Sequence, residues 1–285
     1  MRLGVFDSGF GGLTIYGAIR ERLPGYDYVY LGDNARTPYG HRSFETVYRF
    51  TAEAVRFLLA RDCALVVVAC NTASARALRT VQQTLLPALA PDRRVLGIIR
   101  PSVEALAGER GWRTVALWAT PGTVASDSYG LELQKLRPEL RLLQVACPLL
   151  VPLVENGELE GAGLLHFLRK YWAETEARAA GGAVVDALLL ACTHYPLLLP
   201  RIRGVVPEGV RVLAQGEIVA PSLEDYLRRH PEIESRLSRD GGSEFLTTDT
   251  SEAFDRLAEL FLGHRVRSER VDLEPGGLPG RASAT

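Results

Sequence analysis

The sequence predicts an α/β fold of two similar units, each built on a mainly parallel sheet, with the working cleft between them. Three observations carry this. Strand-like and helix-like segments alternate along the 285 residues, the pattern of parallel α/β architecture. Two runs nearly repeat each other: ALVVVACNT at 64–72 and ALLLACTHY at 187–195. Each run is a continuous apolar stretch ending in Ala-Cys and polar residues, as expected of a strand buried on both faces.

The elements follow in order. Leu3–Asp7 reads as the first strand, with a glycine-rich turn after it. Thr14–Arg22 reads as a helix ended by Pro24-Gly25, and Tyr28–Gly32 as the second strand. Glu45–Arg61 has helical periodicity, with Val47, Phe50, Ala54, Phe57 and Leu58 on one face. Leu65–Ala69 is the strand that leads to Cys70, and Thr72–Leu86 the helix behind it, stopped near Pro87. Val95–Ile99, Thr114–Ala119, Leu142–Ala146 and Leu188–Ala191 are further strands, and Val210–Ala214 and Phe245–Thr247 shorter late ones. Crossings between the units are expected near Ile99–Pro101 and Pro207–Gly216. The first unit is then residues 1–99 with 208–267, carrying Cys70, and the second is 100–207, carrying Cys192. Residues 268–285, rich in Gly, Pro, Ala and Ser from Asp272 on, are expected to be disordered.

Composition excludes several classes. A net charge of −1 gives no basic field for direct nucleic-acid binding. No apolar stretch approaches the roughly 18–20 residues of a membrane span. The MRLGVFDSG start lacks a secretory pattern, so a cytoplasmic location is expected. Disulfides are not expected of the scattered Cys63, Cys70, Cys147 and Cys192. Lys135 and Lys170 are the only lysines, both in helix-like surface segments; this disfavours a lysine–pyridoxal cofactor.

The chemistry centres on the matched thiols. Ligands in parallel sheets bind past the carboxyl ends of strands, where Cys70-Asn71-Thr72 and Cys192-Thr193-His194 stand. One thiol suggests a nucleophile; two matched thiols suggest an acid and a base facing each other. Three alternatives stay open on residues alone. The cysteines are structural; Cys192 and His194 begin a zinc site, for which no CxxC or second Cys/His pair exists; or Cys70 and His194 form a cysteine hydrolase, which leaves Cys192 unused. Glu155 and His194 are candidates to orient or deprotonate a thiol. The DSGFGG turn fails the dinucleotide pattern, because Thr14 takes the third glycine position. It is either a tight turn or a presentation of Asp7 and Ser8 to a cationic or zwitterionic ligand. The DNARTPYG loop after the second strand is, alone, a capped turn.

Five blocks, DSGFGGL at 7–13, GDNARTPYG at 32–40, ACNTAS at 69–74, ACPLLVPLVENGEL at 146–159 and ACTHYPLL at 191–198, together resemble the bacterial glutamate racemases. TTDTSEAF at 247–254 is a weaker sixth match. The resemblance spans roughly residues 2–264. It implies cofactor-independent interconversion of L- and D-glutamate for peptidoglycan precursors, with no metal, in two pseudo-symmetric domains. It implies that Cys70 removes the α-proton of D-glutamate and Cys192 that of L-glutamate. Asp7 would assist Cys70 and His194 would assist Cys192, with Asp33 and Glu155 as supporting acids. Ser8, Tyr39, Gly40, Asn71, Thr72, Thr120 and Thr193 would hold the substrate. A homodimer is implied. Members of the family bind DNA gyrase, a role for which this sequence offers no support. Racemisation of a related acid such as aspartate, or a non-catalytic role on the same fold, are the rival readings; the intact thiol pair argues against the second.

The chain departs from the family pattern at Arg100 and Ser102, where Glu or Gln and Gly are common. It departs again at Trp118, at Ala191, and at Ala214-Gln215 in place of Asp-Ser. Arg100, near a crossing, is expected to alter an inter-domain ion pair.

Overall fold

The computed structural model describes residues 1–179, 181 and 183–273. Ten strands form two sheets: β1 Arg2–Asp7, β2 Tyr28–Gly32, β3 Cys63–Val68, β4 Arg94–Gly97, β5 Thr114–Ala119, β6 Arg141–Ala146, β7 Ala187–Ala191, β8 Arg211–Ala214, β9 Ser243–Thr247 and β10 Ser268–Arg270. The first sheet has the order β10-β9-β2-β1-β3-β4 and the second β6-β5-β7-β8. Every pairing is parallel.

The internal repeat is visible in this order. β2-β1-β3-β4 and β6-β5-β7-β8 are the same arrangement, with the first strand of each set flanked by its second and third. In each set the chain leaves the first strand on one side and returns on the other, so the strand ends part between first and third. Asp7 ends β1, and Cys70 follows β3; Thr120 follows β5, and Cys192 follows β7.

Side-chain alternation builds a core on each face of each sheet. Leu3 and Val5 of β1 face the helices Leu13–Arg22, Gly216–Arg229 and Ser251–Leu262, while Phe6 faces Phe44–Ala60. In β5, Ala116 and Trp118 face the helix Ala162–Arg178, and Val115 and Leu117 face the helices Ile99–Gly108 and Ser128–Leu136. Lys135 is exposed in the last turn of Ser128–Leu136, and Lys170 is exposed midway along Ala162–Arg178. No helix of the described residues is long and apolar enough to cross a membrane.

Four expectations change. The strand Arg211–Ala214, assigned above to the first unit by the boundary at 208, pairs with Ala187–Leu190 and completes the second sheet. The open edge of β7 requires a partner there, and the chain crosses only afterwards, at Gln215–Gly216. The helix behind Cys70 is not continuous. It breaks at Ala77, passes through a wide π turn at Val81–Leu85, and continues as Leu86–Leu89. Pro87 lies just after that π turn, whose wider spacing accommodates a residue with no N–H to donate. Part of the expected disordered tail is ordered: Ser268–Arg270 pairs with β9, and Val271 is buried. Residues 274–285 lie outside the described residues. Finally, Arg100 pairs with Glu104 at 2.6 Å and Glu132 at 3.3 Å, both on helices that flank the second sheet. It ties two helices of one unit rather than the two units.

Trp118 is accounted for by its surroundings. It is fully buried, its indole N–H donates to Thr175 Oγ1 at 3.0 Å, and its ring meets Tyr171 edge-on. Trp118→Phe is expected to destabilise the fold by about 1–3 kcal/mol through the lost bond and the vacated volume. The check is urea unfolding, with a lower midpoint at unchanged slope.

Candidate active site

The two thiols stand at equivalent strand ends and open onto one cleft. Cys70 follows β3 and caps the short helix Asn71–Arg76: its Sγ accepts the Ala73 N–H at 3.4 Å and lies 3.1 Å from Ser8 Oγ. Cys192 follows β7, with its Sγ 4.0 Å from His194 Nδ1. The other ring nitrogen of His194 meets Glu155 Oε1 at 2.9 Å. Glu155 comes from the end of the helix Leu150–Glu155, delivered by the apolar run after β6. The cleft between the thiols has a volume of about 100 Å³. It is thus sized for a molecule near an amino acid, not a nucleotide. A larger groove elsewhere, about 960 Å³ around Tyr16 and Phe261, reaches neither thiol.

The two sulfurs have different electrostatic surroundings. Burial pushes the Cys70 thiol up to about 12, and the Asp7 carboxylate adds to this; Ser8 and the Ala73 N–H oppose it. Asp7 is itself raised by burial, against the pull of His194 and the N–H groups of Gly9 and Gly12. Its Oδ2 accepts the Gly9 N–H at 2.9 Å, and its Oδ1 is buried with no partner among the described residues. For His194, burial acts downward, but Cys192 and Glu155 at its two nitrogens outweigh it and raise the ring to about 10. A thiol kept protonated thus faces a sulfur held beside an imidazolium.

Ser8, Tyr39, Gly40, Asn71, Thr72, Thr120 and Thr193 all line the cleft, as do Glu155 and His194. Thr72 and Thr120 face each other across it at 3.0 Å between hydroxyls, and Thr123 backs Thr120 at 3.1 Å. Asp7 and Asp33 do not line it. Asp7 lies behind Ser8 and Cys70. Asp33 is fully buried behind Tyr39: its carboxylate accepts the Tyr39 hydroxyl, Arg36 Nε at 2.9 and 2.7 Å, and the Thr248 hydroxyl at 2.9 Å. Those bonds leave it no reach to a reacting atom. It instead fixes Tyr39, whose hydroxyl burial and Asp33 together hold well above its usual range.

Gly11 of the DSGFGG turn serves close approach between units. A Cβ on Gly11 would collide with the Thr193 hydroxyl and the His194 ring. The lips of the cleft are as tight: a Cβ on Gly122 would lie 2.6 Å from the Gly40 carbonyl oxygen. Arg76 closes this seam by donating to the carbonyls of Gly122 at 3.1 Å and Arg42 at 2.9 Å.

Residues that the sequence reading passed over also belong here. His41, Pro148, Val151 and Pro152 line the cleft, and Thr14 donates to the Thr193 carbonyl across the units at 2.9 Å. Their signal was position within or beside the DSGFGGL, PYG and VENG blocks. Among the described residues no group of three or more His, Cys, Asp and Glu side chains is disposed to hold a metal.

Comparison with known proteins agrees with this layout. A family model described as Asp/Glu/Hydantoin racemase matches residues 11–223. A glutamate racemase of Paracoccus denitrificans (strain Pd 1222) is 41% identical over 280 residues, covering 94% of this chain and 99% of the relative. Among solved structures, a glutamate racemase isoform from Bacillus anthracis aligns with a TM-score of 0.85 at 33% identity, covering 95% of this chain and 97% of that one. A glutamate racemase from Francisella tularensis in complex with D-glutamate aligns at 0.83 and 30% identity, covering 96% and 98%.

Proposed function

The chain belongs to the Asp/Glu/hydantoin racemase family, and from that premise we propose that it interconverts L- and D-glutamate without a cofactor, passing protons through Cys70 and Cys192. The observation that carries the reading is the pair of thiols at the ends of equivalent strands, facing one amino-acid-sized cleft. The glutamate racemases that match nearly the whole chain support the substrate; provision of D-glutamate for peptidoglycan, in the cytoplasm, is part of the same proposal. A homodimer is part of the same proposal; light scattering after size exclusion would read twice the chain mass, and a single chain mass would remove it.

Inverting a stereocentre through a planar carbanion needs a base on one face and an acid on the other. With L-glutamate bound, the Cys192 thiolate, beside the His194 imidazolium, takes the α-proton. The C–H pair stays on the α-carbon, and the Cys70 thiol donates its proton to the opposite face. The product is D-glutamate, with Cys192 now protonated and Cys70 a thiolate. Asp7 and His194 then return the two sulfurs to their starting state by proton exchange, and D-glutamate runs the steps in reverse. The α-proton is far less acidic than a thiol, so the site must exclude water and meet developing charge with fixed dipoles. Ser8, Asn71, Thr72, Thr120, Thr193 and the Tyr39–Gly40 backbone are those dipoles and hold the ammonium and carboxylates; no Lys or Arg lines the cleft among the described residues. Lys135 and Lys170, exposed on helices, stand away from it, which supports a reaction without a pyridoxal Schiff base.

Circular dichroism tests the reading. Purified protein with no added cofactor is incubated with either enantiomer of glutamate or of aspartate. Optical activity is expected to decay with both glutamates and persist with both aspartates. The shorter aspartate withdraws its distal carboxylate from its donors by one methylene. Decay with aspartate alone would overturn the substrate, and decay with neither would overturn the reaction. In the same assay Gly11→Ala is expected to lose about tenfold to hundredfold in turnover, because the added methyl displaces Thr193 and His194; wild-type turnover would refute that contact.

A further inference from the structure

Beside Cys70 a closed ring of side-chain hydrogen bonds joins parts of the chain that are distant in sequence. Asn71 Nδ2 donates to Gln215 Oε1 at 2.6 Å. Gln215 Nε2 donates to the Tyr129 hydroxyl at 2.9 Å. The Tyr129 hydroxyl donates to Asn71 Oδ1 at 2.6 Å and closes the ring. The second proton of Gln215 Nε2 goes to Ser102 Oγ at 2.8 Å, and Ser102 donates to the Ile98 carbonyl at 2.7 Å. All four side chains are at most 3% exposed.

Each donor in the ring has one acceptor, so turning Asn71 over would set acceptor against acceptor, turning Gln215 over would set donor against donor, and either would leave a buried group unpaired. The orientation of Asn71 is therefore fixed by Gln215 and Tyr129. The ring also spans both crossings. Ile98 and Ser102 flank the first; Gln215 is the second, where the next residue, Gly216, packs so closely on Ala18 that a Cβ would lie 2.9 Å from it. Two positions at which the chain departs from its family pattern, Ser102 and Gln215, are thus direct partners. They act together on the residue next to a thiol.

We propose that Gln215, with Tyr129 and Ser102, is a positioning residue for the Cys70 half of the reaction. It fixes Asn71, and through Asn71 the turn that aims Cys70 into the cleft. None of the ring's hydrogen bonds reaches Cys192, His194 or Glu155, whereas Asn71 adjoins Cys70, so its loss slows proton transfer at Cys70 more than at Cys192. This rests on the two-thiol reading above, in which Cys70 removes the proton of D-glutamate.

The test uses Gln215→Leu, which keeps the shape and removes the ring, and Tyr129→Phe, which opens it with a smaller change. Racemisation is measured with ordinary and α-deuterated D- and L-glutamate. In both variants kcat is expected to fall about tenfold to hundredfold. The isotope effect for D-glutamate divided by that for L-glutamate is expected to rise above the wild-type ratio, because removal at Cys70 becomes the slow step. A loss of activity with that ratio unchanged marks a merely structural role and overturns the proposal. If Gln215→Leu fails to fold, Tyr129→Phe decides alone. Wild-type turnover in the same assay separates the two levels: its absence overturns the racemase reading, while its presence with unaltered variant ratios overturns only this inference.

Discussion

Cys70→Ala and Cys192→Ala are each expected to abolish racemisation in both directions, by about 10²–10⁴-fold or more, the range over which a positioned acid or base contributes. One thiol cannot serve both faces of the α-carbon. Removing either leaves the carbanion without a base to form it or without an acid to quench it. Fold stability should change little by comparison: both sulfurs are buried, but each makes few polar contacts, to Ser8 and Ala73 or to His194. Thermal unfolding beside the kinetics separates the two effects. A single variant retaining more than about a tenth of wild-type activity would contradict a two-thiol reaction.

His194→Gln is expected to lower turnover about 10²-fold and to change how stability responds to pH. The folded-state value of His194 is raised from 6.5 to about 10 by Cys192 and Glu155, against the downward pull of burial. The native state therefore holds a proton that the unfolded chain releases near 6.5. That contribution is fully present below about pH 6.5 and is lost as pH rises through 10. The wild-type unfolding midpoint should decline across that window, and His194→Gln should flatten the decline. Glu155→Gln removes one of the two groups that hold the ring charged. Its alkaline loss of activity should set in at lower pH than that of the wild type. A wild-type stability that is flat from pH 7 to 10 would argue that the imidazole is neutral in the folded protein.

Much of this was legible in the sequence because the chemistry lies where parallel strands end. The apolar runs before Cys70 and Cys192 form β3 and β7, and their likeness reflects the shared strand order of the two sheets. Glu155 and His194 were identifiable as thiol partners and meet at 2.9 Å. Other features depend on contacts that no local pattern encodes. Asp33 carries the same polar-loop signal as a cleft residue, yet Arg36, Tyr39 and Thr248 draw it inward. β8 is short and half-exposed, so its pattern fits either sheet; the edge left by β7 decides it. The tail strand depends on pairing with β9, which the Gly/Pro-rich composition from Asp272 on conceals. The ring of Asn71, Tyr129 and Gln215 joins three widely separated segments, and only the fold brings them together.

The most direct measurement follows hydrogen at the α-carbon in deuterium oxide, at low conversion, starting from each glutamate enantiomer in turn. A thiol carries one exchangeable hydrogen, so the proton removed stays on one sulfur while the other delivers a solvent deuteron. Two facing thiols predict that the product enantiomer is fully deuterated at first appearance while recovered substrate stays protiated. Early deuterium in recovered substrate, or substrate-derived protium in the product, would mean that a single group serves both faces, and would contradict the assignment of Cys70 and Cys192.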